Sequence, residues 1–144
     1  MGSETRNKAT AGYSGKTVAQ KLGIKPAFRI RTHNAPATYR KMLGPLPDDV
    51  VLSDRTKAPV DLVHMFVTSR TQLESQLRAS LKEIRQDGAI WVSWPKKASG
   101  VTTDVTEDVI REVALPLGLV DVKVCAVDET WSGLKMVIRR TNRA

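Results

Sequence analysis

A chain of 144 residues with 41% hydrophobic residues, 26% charged residues and a net charge of +8 has the make-up of one globular domain with a real core. Its apolar runs are only a few residues long, which excludes a membrane span, and no charged-then-apolar leader opens it, so the cytoplasm is the expected location. A single cysteine, Cys125, excludes an internal disulfide and a cysteine-built metal cluster; its neighbours Val122, Val124, Ala126 and Val127 mark it as a small core residue.

In chain order, residues 1–12 are polar, small and aperiodic and read as a disordered tail, followed by a single domain over 13–141. Ser14 is placed to cap a short helix through Leu22, closed by Gly23. Ala27–Thr32 is β-competent, with Arg29 and Arg31 on one face. Pro36 opens a helix over Ala37–Leu43, ended by Gly44 and the Pro45–Pro47 stretch. Val50–Ser53 is a short strand, and Val60–Val67, nearly continuous in apolar residues, is a central parallel strand. Ser69 and Gln72 form a capping-box pattern for a long helix to Gln86, whose stripe is Leu73, Leu77, Leu81 and Ile84.

The Asp87-Gly88 pair breaks that helix, and Ala89–Trp94 follows as a strand. After a loop over Lys96–Thr103, Asp104 with Glu107 suggests a cap for a helix that turns Val109, Ile110 and Val113 inward and stops near Pro116 and Gly118. Val120–Val127 and Leu134–Arg140, joined by a turn around Thr130–Gly133, are too closely linked to be parallel. The order α, β, α, β, β, α, β, α, β, β predicts an α/β domain of three layers: a mostly parallel sheet ending in an antiparallel hairpin, with helices on both faces.

Two resemblances follow from these residues. The helix leading into Asp87-Gly88-Ala89-Ile90-Trp91-Val92-Ser93, the next helix, the strand–turn–strand finish and the strand Val60-Asp61-Leu62-Val63 resemble the second half of the Rossmann-like S-adenosylmethionine methyltransferases. That resemblance implies a last strand inserted antiparallel into the sheet. More closely, Gly12-Tyr13-Ser14-Gly15, Lys21-Leu22-Gly23-Ile24, Leu43-Gly44-Pro45-Leu46-Pro47, Trp91-Val92-Ser93-Trp94-Pro95-Lys96-Lys97 and Asp128-Glu129-Thr130-Trp131-Ser132-Gly133-Leu134 resemble a bacterial family known as domain of unknown function 3052, over about residues 12–140. That family carries no activity across.

The departure from the methyltransferases is at the first strand. Their first strand opens into a glycine-rich loop that lets backbone N–H groups approach the cofactor. Here it opens into His33-Asn34-Ala35-Pro36-Ala37, without glycine and with one N–H removed by Pro36. One strand–helix unit after the second strand is also missing. Asp54 stands where an acid bonds ribose hydroxyls in that fold, and equally where a turn to Pro59 begins. S-adenosylmethionine is therefore a possible but disfavoured cofactor.

Other motifs fall short of chemistry. Ser14-Gly15-Lys16-Thr17 has the end of a phosphate-binding loop, but Thr10 stands where its first glycine belongs, and no strand precedes it. His33 and His64 lack metal-ligand spacing, so no metal is expected; His64, inside a strand, is expected to be packed or hydrogen-bonded. Asp128 and Glu129 suit turn and cap roles better than a paired acid/base.

Geometry gives the convergent expectation, since ligands in open α/β sheets sit beyond the carboxyl ends of the parallel strands. Those ends hold His33, Asn34, Asp54, Thr68, Ser69, Trp94, Pro95, Lys96, Lys97, Asp128 and Glu129, with Trp131 beside them. As one rim they would suit an anionic or planar small molecule such as a nucleotide. Charge supplies a second candidate: residues 1–41 hold nine Lys and Arg against one acid, while residues 42–138 hold eleven against fourteen. Lys16, Lys21, Lys25, Arg29 and Arg31 could thus meet nucleic acid or an acidic protein partner. The leading expectation is a non-catalytic ligand-binding or regulatory module. A minimal S-adenosylmethionine-dependent methyltransferase and a nucleic-acid-binding protein are the alternatives.

Overall fold

The structure is a computed structural model, and it describes residues 15–144. The tail over 1–12 and the proposed Ser14 cap lie outside the described residues. The first helix, α1 (Val18–Leu22), is capped by Thr17, whose hydroxyl accepts from the Gln20 N–H while Gln20 returns the bond to the Thr17 N–H. It ends at Gly23, with φ 77°, the left-handed conformation that glycine adopts without cost.

The remaining elements are β1 (Arg29–His33), α2 (Tyr39–Leu43), β2 (Val51–Ser53), β3 (Val60–Phe66), α3 (Arg70–Leu81), β4 (Ile84–Pro95), α4 (Glu107–Ala114), β5 (Leu119–Ala126) and β6 (Trp131–Ile138). They build one six-stranded sheet in the order β2-β1-β3-β4-β6-β5. β2, β1, β3 and β4 are mutually parallel, and β6 enters antiparallel between β4 and β5. This is the expected α/β architecture with its antiparallel finish.

Alternation along the strands loads both faces of the sheet. Val63, Met65, Ile90, Val92, Trp94, Leu134, Met136 and Ile138 pack against Leu73 and Leu77 of α3 and Ile110 and Val113 of α4. Ile30, Leu52, Leu62, Phe66 and Trp91 pack on the other side against Val18, Ala19 and Leu22 of α1 and Tyr39 and Leu43 of α2. Trp91 is wholly buried, and its indole N–H donates to the Leu22 carbonyl at 3.1 Å, which ties α1 to the centre of the sheet.

Several boundaries differ from the sequence reading, each for a non-local reason. The long helix stops at Leu81 instead of Gln86, because Ile84 pairs with Val60 and so begins β4. From there to the Leu62–Ala89 pair β3 advances two residues and β4 five, a bulge with Gly88 at its end. A Cβ at Gly88 would stand 2.9 Å from the Asp61 carbonyl oxygen, so the close approach itself requires glycine. Ala27, with φ 64°, falls outside β1, and Pro36 precedes α2 by a turn. Asp104 does not cap α4; Thr106 does, while Asp104 accepts from the Arg70 N–H at 2.8 Å. β6 begins at Trp131, so the hairpin turn is shorter than expected.

The connection from β2 to β3 has no helix. Residues 54–59 pass across β1 to reach β3, and β1 holds them: Arg29 donates to the Lys57 carbonyl at 2.7 Å and Arg31 reaches the Thr56 carbonyl at 3.5 Å. No described helix is long and apolar enough to cross a membrane.

Candidate functional site

The carboxyl ends of β1, β2, β3 and β4 lie along one rim with the start of β6, but strand alternation divides that rim between the two faces of the sheet. Trp94 points to the α3/α4 side. Trp131 pairs with Pro95, the residue after Trp94, and packs on the α1/α2 side. The two indoles therefore do not form one platform.

On the α1/α2 side the rim is filled. Phe66 stacks on the His64 ring at 4.5 Å, and Trp131 and Tyr39 meet Phe66 edge to face at 5.0 and 5.6 Å. Beneath them runs a buried polar chain: Tyr39 Oη lies 2.7 Å from His64 Nδ1, and His64 Nε2 lies 2.6 Å from Ser93 Oγ. His64 and Ser93 are fully buried. Burial lowers the His64 pKa to about 3 and raises that of the Tyr39 phenol, so both groups stay neutral. A neutral ring donates from one nitrogen and accepts at the other, which matches two hydroxyl partners. His64 is thus a satisfied core residue, as expected from its strand. Its partners, one on α2 and one on β4, were beyond sequence reasoning, and alternation along β4 was the one available signal for Ser93.

On the α3/α4 side the rim is open. A cavity of about 350 Å³ is lined by Trp94, Pro95, Lys97, Val101, Thr103, Val105 and Thr106. Its floor is the exit of β4, and its wall is the loop that leads into α4. Of the expected rim residues it unites Trp94, Pro95 and Lys97; Val101, Thr103, Val105 and Thr106 were not singled out from the sequence. Both threonine hydroxyls already serve the loop: Thr103 donates to the Thr68 carbonyl at 2.6 Å and accepts from the Val105 N–H, and Thr106 caps α4. That leaves the Lys97 ammonium as the lining's one charged group, beside an indole and two valines.

The other expected residues lie elsewhere. His33 Nε2 is 3.1 Å from Glu83 Oε1, and Arg31 approaches the same carboxylate at 3.5 Å. Asn34 is exposed with φ 61°, and the turn to Tyr39 holds no glycine. Asp54 is exposed in the turn that begins the crossover. Lys96 is held through its N–H by the Thr130 carbonyl at 2.7 Å. Asp128 accepts from the N–H groups of Thr130 and Trp131, both at 2.8 Å, which is a turn role, and Glu129 is exposed. The basic set is also split: Lys16 and Lys25 are exposed near α1 and Lys21 is buried there, whereas Arg29 and Arg31 brace the crossover on the opposite face. Among the described residues no group of three or more His, Cys, Asp or Glu is placed to hold a metal ion. Burial raises the Cys125 thiol pKa against the pull of Lys21 and Lys123, which disfavours the thiolate.

Comparison with known proteins agrees with this architecture. The model of the family described as "Protein of unknown function (DUF3052)" matches residues 37–140, and the chain belongs to that family. The Gly12–Gly15 and Lys21–Ile24 segments lie before the matched span. Among solved structures, a ribosomal protein L11 methylase from Lactobacillus delbrueckii subsp. bulgaricus is similar with a TM-score of 0.57 at 9% identity, over 85% of this chain and 75% of that one. A precorrin-6y C5,15-methyltransferase from Geobacter metallireducens GS-15 has a TM-score of 0.53 at 10% identity, over 85% of each chain. A protein of the NADB-Rossmann superfamily from Streptococcus agalactiae scores 0.53 at 10% identity, over 90% of this chain and 71% of that one. At such identities the likeness is one of fold: Rossmann-like, of the methyltransferase kind. No curated protein matches.

Proposed function

We propose that this chain is a non-catalytic binding module that takes a small anionic, planar molecule in the cavity at the end of β4. The observation that carries the reading is the lining itself: an indole, two valines, a proline and one ammonium, with no carboxylate, imidazole or thiol. An indole offers a flat ring an apolar stacking surface and a lysine attracts an anion, the two halves of a nucleotide base with its phosphate. Nothing but Lys97 in that lining can move a proton, and both hydroxyls are committed to holding the loop.

A methyltransferase is the second reading, favoured by the fold alone. The residues at the β1 exit fit S-adenosylmethionine poorly. Pro36 lacks an N–H, no glycine lets the backbone approach, His33 is turned to Glu83, and α2 has five residues with no side-chain cap.

Thermal shift with S-adenosylmethionine, S-adenosylhomocysteine and a panel of nucleotides tests both. A ligand at about a hundred times its Kd adds roughly 2.7 kcal/mol, a rise of several degrees for a domain of this size. A rise with nucleotides that disappears in Lys97→Ala is the expected result. A rise with the methionine cofactors alone would replace this reading with the methyltransferase one, and no rise with any of them would remove the cavity as a site for these ligands.

A further inference from the structure

The far edge of the sheet carries a feature that the cavity does not use. β5 has one neighbour, β6, and its residues Asp121–Val124 are exposed although they lie within a strand. On the α1/α2 face of this edge, Lys123 stands directly opposite Lys135, which is itself opposite Trp91. Lys25 and Lys21 come up beside them. Burial, then the charges of Lys123 and Lys25, lowers the Lys135 pKa. Lys21 is close enough to reach the Ala126 carbonyl at 3.5 Å and to act on the Cys125 thiol.

Like charges placed directly across a strand pair oppose folding. Among the described residues none of these four lysines has a carboxylate within 4.0 Å, whereas Arg31, Arg70, Arg85 and Arg111 all do. The acid of β5 itself, Asp121, turns to the other face and pairs with Arg111 of α4. Four cations thus share one face with no internal counter-charge among the described residues.

The apolar groups of the same edge narrow the class of partner. Val122, at the bulge between Asp121 and Lys123, is 52% exposed and Val124 is 47% exposed, the two largest exposures among the bulky apolar side chains described. Val124 points away from the lysine face, because it pairs with Leu134 of the α3/α4 core. From Lys123 to Ala126 the register with β6 is regular, so the outward N–H and C=O groups of this stretch form an edge ladder, met at the Ala126 carbonyl by the Lys21 ammonium. A phosphate backbone would use the lysines and leave both the ladder and the valines unmet. A second copy of this chain pairing edge to edge in antiparallel fashion would set two lysine faces side by side.

We propose that the β5 edge is a docking site for an acidic, extended segment of another protein. The segment adds as a seventh strand, with carboxylates alternating over Lys123, Lys135, Lys25 and Lys21 and apolar side chains over Val124. Main-chain hydrogen bonds along Lys123–Ala126 give affinity, and the alternation gives specificity. The inference is independent of the cavity reading.

The test uses the full chain and labelled peptides of about eight residues, a common strand length, read by fluorescence anisotropy at low salt. A peptide alternating Glu and Val is expected to bind, to weaken at least tenfold in Lys123→Glu/Lys135→Glu, and to slow amide exchange in residues 123–126. Lys123→Glu alone, which replaces a like-charge pair with an opposite one and keeps or raises the Tm, should also weaken binding several-fold, so the loss is not one of folding. Four results would overturn the proposal. They are no binding, equal binding of a Glu/Pro peptide that cannot form a ladder, tighter binding of an oligothymidylate, or an edge closed by self-association in sedimentation.

Discussion

The two sides of the strand-end rim each carry an indole, and one side is filled where the other is open. On the α1/α2 side, Tyr39, His64, Phe66, Ser93 and Trp131 fill the space with rings and satisfy one another's polar atoms. On the α3/α4 side, Trp94 meets a loop in place of another ring, and a cavity of about 350 Å³ remains. The difference lies in what each face offers Trp94 and Trp131 as a neighbour. Phe66, backed by Tyr39 of α2, closes one; a loop braced by Thr103 and Asp104 leaves the other ajar.

If one side is structural and the other functional, substitution should separate them. The largest effect is expected from His64→Leu, which leaves the Tyr39 and Ser93 hydroxyls buried without partners. At about 1–3 kcal/mol for each orphaned group, roughly 4 kcal/mol of stability should be lost in denaturant unfolding. Adding Tyr39→Phe and Ser93→Ala should restore more than half of it, because apolar replacements leave nothing unpaired.

Acid should attack the same side. His64 has its folded pKa depressed, from 6.5 to about 3. Its contribution to stability is therefore complete above pH 6.5 and declines as the pH falls toward 3, where the folded ring begins to charge. The slope is about 1.4 kcal/mol per pH unit, or roughly 3 kcal/mol between pH 7 and 4. A flat profile for this variant pair, wild type minus His64→Leu, would dissolve the contrast between the two sides.

The tryptophans sharpen it further. Trp94, 9% exposed, is embedded in the α3/α4 core, so Trp94→Ala should cost about 3 kcal/mol. Trp131 is half-buried on the rim, and Trp131→Ala should cost about half as much, measured by chemical unfolding. Smallest of all is Lys97→Ala on the exposed lip of the cavity, where stability should change by less than about 0.5 kcal/mol. Loss of ligand response without loss of stability is the signature of a functional side; loss of both would make the cavity a packing gap.

Much of the fold was legible before the structure. Every strand and helix is present in the expected order, because Val60–Phe66 and Ala89–Trp94 announce buried strands by composition and Gly23, Gly44 and Gly118 mark element ends. Partners distant in sequence account for the errors. Ile84 satisfies a helical stripe and a strand equally well, and Val60 decides between them. Asp104 and Thr106 are both plausible caps, and Arg70 on another helix claims the first. The site was half legible: Trp94 and Lys97 meet in the cavity, but Trp131 had to fall on the other face once Pro95 was its partner. Period-two alternation contains that division, and it becomes visible when the β4–β6 register is known.

The crossover of residues 54–59 has a mechanical consequence. Parallel strands in one sheet ordinarily need a dozen or more residues to connect, and here six suffice. The register sets Ser53 level with Val63 across β1, three residues past Val60, and the link covers that short gap with a turn at Asp54–Arg55 and bends at Ala58 and Pro59. The link is a folded clasp, fastened in its middle by two guanidinium groups. It ties β2 and β3 to the strand that lies between them. Deletion of Lys57 should break the clasp by removing the carbonyl that Arg29 holds, and hydrogen exchange in β2 should then quicken relative to β4.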